Sequence, residues 1–257
     1  MKRRAFIQMS LATLGATTTV TAAAEQKARE LYELRVYSLP ANKQDVLDGY
    51  LSGAFLPALK RYGIGPVGVF VEKVDENKRK VYVLIVHPSA EHFVALSSRL
   101  HTDEEHRKVA KDYLDATARD PVYTHIDSTL LGAIEGMPRL AKPDAGKPRL
   151  MNFRIYESHN ERAAQKKIEM FNKGELAIFR RVGLTPVFFA ETLVGAAMPN
   201  LTYMLVFPDD PGRQAAWSRF VKDEEWLKLR AIPEYADKEI VSHITNKILT
   251  PASYSEI

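Results

Sequence analysis

The sequence predicts an α+β fold made of two tandem ferredoxin-like repeats, each ordered β-α-β-β-α-β. Three observations predict it. First, Leu56-Pro57-Ala58-Leu59-Lys60-Arg61-Tyr62-Gly63-Ile64-Gly65-Pro66-Val67 aligns with Leu176-Ala177-Ile178-Phe179-Arg180-Arg181-Val182-Gly183-Leu184-Thr185-Pro186-Val187 at an offset of 120. The same offset pairs Val86 and Pro88 with Val206 and Pro208, Arg99 with Arg219, and Asp103-Glu104-Glu105 with Asp223-Glu224-Glu225. Second, Arg35-Val36-Tyr37 matches Arg154-Ile155-Tyr156 one residue off that register. Third, each copy runs through the same succession of period-two and period-3.6 patterns.

In order, residues 31–39 and 149–157 alternate as strands. Val46, Leu47, Tyr50, Leu51, Phe55, Leu59 and Tyr62 then recur at helical steps, with Pro57 expected to kink the helix. Gly63 and Gly183 are helix stops. Strand pairs follow at about 66–73 with 80–87 and 185–193 with 200–207, the first turned by Asp75-Glu76-Asn77. A second helical region and a last strand, near 122–131 and 240–249, end each copy. The repeats therefore span 30–134 and 149–257, with the Gly-, Pro- and Lys-bearing stretch 135–148 as linker.

Residues 1–24 read as an address. Lys2-Arg3-Arg4-Ala5-Phe6-Ile7, a mildly apolar stretch diluted by threonines, and Ala22-Ala23-Ala24 describe a twin-arginine-type signal peptide cut after Ala24. The expected location is periplasmic or secreted. Removing that segment leaves 33 basic against 32 acidic residues, and no basic stripe with interleaved aromatics remains, so a nucleic-acid partner is not expected. Absence of cysteine excludes disulfides, thiolate chemistry, Cys-ligated metal and a lipoprotein anchor. No apolar run of about 20 residues beyond the N-terminus suggests an integral membrane domain.

Pro199-Asn200-Leu201-Thr202-Tyr203-Met204-Leu205-Val206-Phe207, then Arg213, Ala216-Trp217, Phe220 and Glu225-Trp226, resembles the second half of a NIPSNAP domain, and Tyr32-Glu33-Leu34-Arg35-Val36-Tyr37 resembles its start. The resemblance covers roughly 30–257. It implies the dimeric α/β-barrel fold, two ferredoxin-like sheets face to face, and no agreed reaction. The first copy departs from the pattern at His87, Ser97 and His106, where the second has Phe207, Trp217 and Trp226. If that segment carries ligand contacts, the first copy is expected to have lost them.

The motifs that could carry chemistry are few. Gly63-Ile64-Gly65-Pro66-Val67-Gly68 fits a dinucleotide fingerprint but follows a helix and enters a strand, the reverse of the required order. His101 and His106, five apart, would project about 140° from each other on one helix, so a metal site is not expected. Trp217, Phe220 and Trp226 suit core packing, with a cofactor lid as the alternative. The set present in both copies is Arg35 with Tyr37 and Arg154 with Tyr156. Strand alternation places each pair on one face. With Leu34 and Val36 sent to the helices, that face would look into a cavity between the sheets, with His125 or His243 near its mouth. These four residues are the candidate ligand contacts, and His125 and His243 the candidate general bases. Glu72 and Glu191 are the expected internal carboxylates for the arginines.

Function is thus left as an exported, NIPSNAP-like small-molecule-binding or interaction module, with a small anionic or aromatic ligand. The alternative is a small oxygenase- or isomerase-like enzyme working in the inter-sheet cavity, an analogy from fold. No cofactor signature is evident, though haem held by a histidine stays open, and homo-oligomers are compatible with the fold.

Overall fold

The computed structural model describes residues 29–257. The expected signal peptide, 1–24, lies outside the described residues. The first half runs β1 (Leu31–Pro40), α1 (Gln44–Tyr50), a π-helical turn (Leu51–Phe55), α2 (Leu56–Arg61), β2 (Val67–Lys73) and β3 (Lys78–His87). It continues through α3 (Ala90–Thr102), α4 (Glu104–Val109), α5 (Lys111–Leu114) and β4 (His125–Ala133). The second half runs β5 (Leu150–Glu157), α6 (Glu161–Met170), a π-helical turn (Phe171–Glu175), α7 (Leu176–Val182), β6 (Thr185–Val194) and β7 (Asn200–Phe207). It ends with α8 (Asp210–Phe220), α9 (Glu224–Arg230), α10 (Asp237–Ile240) and β8 (His243–Pro251).

The eight strands form one closed antiparallel barrel in the order β1-β3-β2-β8-β5-β7-β6-β4. Within it the halves contribute β4-β1-β3-β2 and β8-β5-β7-β6, the same order twice. The registers agree as well. Arg35 lies between Val83 and Ser128, and Arg154 between Tyr203 and Asn246. Positions can therefore be compared between halves strand by strand.

Local chemistry explains the matched segments. Gly63 (φ +69°) and Gly183 (φ +88°) sit in the left-handed region that ends a helix without a Cβ clash. Asp103 and Asp223 cap α4 and α9 by accepting backbone N–H bonds. Arg61 joins Asp103 (2.7 Å) and Glu105 (2.9 Å), and Arg181 joins Asp223 (2.7 Å) and Glu225 (2.8 Å). The π-helical turns coincide at the offset of 120, and each leads straight into the helix that carries Pro57 in the first half and Ala177 in the second. The last strands start at His125 and His243, three residues later than the patterning suggested.

Side-chain alternation divides the core into three layers. Tyr32, Leu34, Phe70, Tyr82, Leu84, Met151, Phe153, Phe188, Met204 and Leu249 fill the barrel interior, together with the C-terminal Ile257. Tyr37, Leu39, Val81, Val83 and Ile85 pack outward under the first half's helices, beside Leu47, Tyr50, Phe55 and Leu59. Tyr156, Phe189, Tyr203, Leu205 and Phe207 do the same in the second half, with Phe171, Phe179, Phe220 and Trp226. Residues 134–149 contain no helix or strand but are stitched to the body. Gly136 N–H donates to Asn172 Oδ1 (2.8 Å) and Ala141 N–H to the Val187 carbonyl (2.9 Å).

Candidate functional site

The faces of β1 and β5 are the reverse of those expected. Leu34 and Val36 point into the barrel, while Arg35, Tyr37, Arg154 and Tyr156 lie on the outer face under the helices. Period two fixes which residues share a face but not which neighbour the face meets, and both faces of this sheet are covered. The space between the half-sheets is a packed apolar core rather than an arginine-lined cavity. His125 and His243 pair with Ser38 and Glu157, so they share the inner-facing side and the strands separate them from the arginines. Glu72 accepts from Tyr82 Oη (2.6 Å) and pairs with Lys247 (2.8 Å), and Glu191 meets Arg29 (3.7 Å); neither serves Arg35 or Arg154.

Arg35 is served by Glu33, two residues earlier on the same face. The Glu33 carboxylate accepts from Arg35 Nε (2.5 Å) and Nη2 (3.2 Å), from His87 Nε2 (3.1 Å) and from Ser128 Oγ (3.1 Å). Burial works against its charge. The hydrogen bonds from His87 and Arg35 outweigh that and bring the carboxyl from 4.5 down to about 2. The motif Glu33-Leu34-Arg35 carried this signal, since i and i+2 in a strand are neighbours on one face.

Above Arg35 opens a cleft of about 290 Å³ between sheet and helices. Arg35 and Tyr50 line it from the sheet and α1. Ser97, Leu100 and His101 line it from α3, His106 and Arg107 from α4, and Leu114 from α5. His101 and His106 are on separate helices because α3 ends at Thr102 and Asp103 starts α4, so the single-helix angle does not apply and both border one cleft. Among the described residues no group of three or more His, Asp or Glu side chains could hold a metal. His106 Nδ1 donates to the Leu100 carbonyl (3.3 Å), which leaves Nε2 as the lone-pair nitrogen, buried and without a partner among the described residues. Burial lowers the His106 imidazole below its ordinary 6.5 and keeps it neutral. Tyr113 stacks on Tyr50 at 3.7 Å and extends the aromatic wall behind the cleft.

In the second half the corresponding space is occupied. Trp217 covers Arg154, 4.6 Å from its guanidinium carbon to the ring centre, and the Tyr156 ring lies 5.3 Å away. Asn152 replaces Glu33; it accepts from Trp217 Nε1 (3.1 Å) and donates to Asn246 Oδ1 (2.6 Å). Among the described residues Arg154 has no carboxylate partner: Nη1 reaches Asn246 Oδ1 at 3.3 Å and the buried Nε has no partner. Tyr203 Oη donates to Tyr156 Oη (2.8 Å). Beneath them Lys167 and Glu175 form an ion pair at 3.0 Å with both side chains 2% exposed. The positions matching that pair in the first half are Leu47 and Phe55.

The departures of the first half now have a common address. His87 replaces Phe207, Ser97 replaces Trp217, His101 replaces Val221, His106 replaces Trp226 and Arg107 replaces Leu227. His87 reaches Glu33 and the other four line the cleft. Ser97 and His106 stand where the second half has two indoles, and polar groups surround the space.

Residues 151–256 match the NIPSNAP family model. A candidate monooxygenase from Fusobacterium nucleatum shares the fold at TM-score 0.57 with 8% identity, over 88% of this chain and 93% of that one. A candidate monooxygenase from Lactobacillus acidophilus does so at TM-score 0.56 with 12% identity, over 89% and 98%. A NIPSNAP-like domain protein from Burkholderia xenovorans is 20% identical over 42% of this chain and 88% of its own, at TM-score 0.38. No curated protein matches the chain. No helix among the described residues is long and apolar enough to cross a membrane.

Proposed function

We propose that the protein is a small-molecule-binding module, made by duplication of a ferredoxin-like NIPSNAP unit, whose working site is the Arg35 cleft. The observation that carries this reading is the convergence of apolar-to-polar differences on one opening. A buried polar group costs stability unless it is paired, and His106 is buried with its Nε2 unpartnered among the described residues, while the exposed Ser97, His101 and Arg107 stand around the same opening; together they argue for recognition rather than packing. The ligand is a small anionic or aromatic molecule. Arg35 and Arg107 offer guanidinium donors to an acidic group, and Tyr50 offers an aromatic wall. Tyr37 packs behind Arg35. In the second half Arg154 and Tyr156 are closed over by Trp217 and serve the packing of that half.

The test is calorimetric titration of the chain with aromatic carboxylates such as benzoate and 4-hydroxybenzoate. The expected result is binding that weakens about tenfold or more in Arg35→Gln and Ser97→Trp. Undiminished affinity in a folded Ser97→Trp variant would place binding elsewhere.

A second reading is a small oxygenase- or isomerase-like enzyme in the same cleft. It is favoured by the neutral His106, whose geometry suits a proton acceptor better than the exposed His125 and His243. The fold shared with two candidate monooxygenases supports it only as analogy. The export proposal rests on Arg3-Arg4 and Ala22-Ala23-Ala24.

A further inference from the structure

The inner face of the first half-sheet carries a second cavity, of about 430 Å³, at one mouth of the barrel. Ser38 pairs across the strands with Lys80 on one side and His125 on the other. Alternation puts all three on the face of Leu34 and Val36, away from the Arg35 cleft. Pro40 and Val74 give the cavity apolar wall, and Lys78, Lys80 and His125 give it a basic rim with no lining carboxylate; Leu39 and Arg79 border it too, but alternation turns their side chains to the outer face. The nearest acids already have partners, although Glu72 lies opposite Lys80 across the strands and Asp127 lies beside His125 of the rim. Glu72 is held by Lys247 and Tyr82, Glu76 by Lys73, and Asp127 stands 3.4 Å from His125. Among the described residues Lys78, Arg79 and Lys80 have no ion-pair partner. The fold does not require this charge, because the matching register positions of the second half are Met198 for Lys78, Asn200 for Lys80 and Glu157 for Ser38. Lys78 and Lys80, neighbours on one face of the strand, repel each other, and an anion seated between them relieves that repulsion.

We propose that this mouth binds an amphiphilic anion, its acidic head at Lys78, Lys80 and His125 and its alkyl or aryl body against Pro40 and Val74. The volume falls in the range of small-molecule sites, roughly 300–1,000 Å³.

The test is titration of the chain with decanoate, decan-1-ol and butyrate, which separate head from body. Decanoate should bind at least about tenfold more tightly than either of the others. Lys78→Gln/Lys80→Gln should weaken decanoate about tenfold or more, as should Val74→Glu, which sets a carboxylate on the exposed wall. Ser97→Trp, which closes the Arg35 cleft, should leave decanoate binding intact. The proposal is overturned by absence of decanoate binding, by equal affinity for decan-1-ol, or by undiminished affinity in the folded lysine variant. Loss of decanoate binding in Ser97→Trp would overturn it too, by moving the ligand to the other cleft.

Discussion

The indole of Trp217 covers the guanidinium of Arg154 at 4.6 Å, and the residue in the matching position over Arg35 is Ser97. One half-sheet therefore carries its half-buried strand arginine against an aromatic ring, and the other carries its half-buried arginine beside a cleft lined by polar side chains. The difference is made by side-chain volume on a shared backbone, since the registers around the two arginines agree.

Trp217→Ser should reproduce the opening in the second half at a cost in stability. Trp217 is half-buried, so truncating it costs less than the about 3–5 kcal/mol of a core aromatic, on the order of 1–3 kcal/mol. The midpoint of urea unfolding should fall, whereas Ser97→Trp should hold or raise it. An unchanged midpoint in Trp217→Ser would show that the indole is not a packing element.

Glu33 links stability to pH. Its folded pKa, about 2, lies below the ordinary 4.5, so its contribution is full above about pH 4.5 and is lost as pH falls toward 2. Glu33→Gln should therefore lose about 3 kcal/mol at pH 7, from a shift of some 2.5 units, and match the parent near pH 2. Urea unfolding at pH 7, 4 and 2 measures it. A penalty that persists undiminished at pH 2 would assign the effect to shape instead of charge.

The Lys167–Glu175 pair has its own apolar counterpart in the same chain. Breaking it singly, as Lys167→Met or Glu175→Gln, should cost about 3–5 kcal/mol, because one buried charge loses its partner. Lys167→Leu/Glu175→Phe, which installs the residues found at Leu47 and Phe55, should be close to neutral or stabilising. Thermal melts of the three variants decide; a double variant as weak as the singles would mean that the pair organises this half beyond its charge balance.

The barrel interior draws on both halves: Tyr32, Leu34 and Phe70 meet Phe153, Phe188 and Met204. Residues 29–140 and 148–257 expressed apart should each expose that face, and neither should melt cooperatively as a monomer. Sedimentation and calorimetry test this. Two independent cooperative monomers would refute joint folding.

Export is tested by fractionation. Arg3→Lys/Arg4→Lys should keep the chain in the cytoplasm, and normal delivery of that variant would remove the twin-arginine reading.

The amino-acid sequence by itself determined the element order, the helix stops at Gly63 and Gly183 and the near-constant offset that pairs Arg35 with Arg154. These are local matters of periodicity, φ preference and repetition. It also determined that Arg35 and Tyr37 share a face. Only the tertiary structure decided which face. Leu34 and Val36 go to the barrel interior, and an alternating pattern reads the same whichever neighbour it meets when both sides are covered. Glu33 was legible as Arg35's neighbour two residues away, yet His87 and Ser128, which complete its hydrogen bonds, arrive from other strands. The departures at His87, Ser97 and His106 were visible one by one, and read as loss. Folding brought Ser97 and His106 to one opening and His87 to the Glu33 beside it, and a contact between elements far apart in the chain is fixed by packing, not by spacing along it.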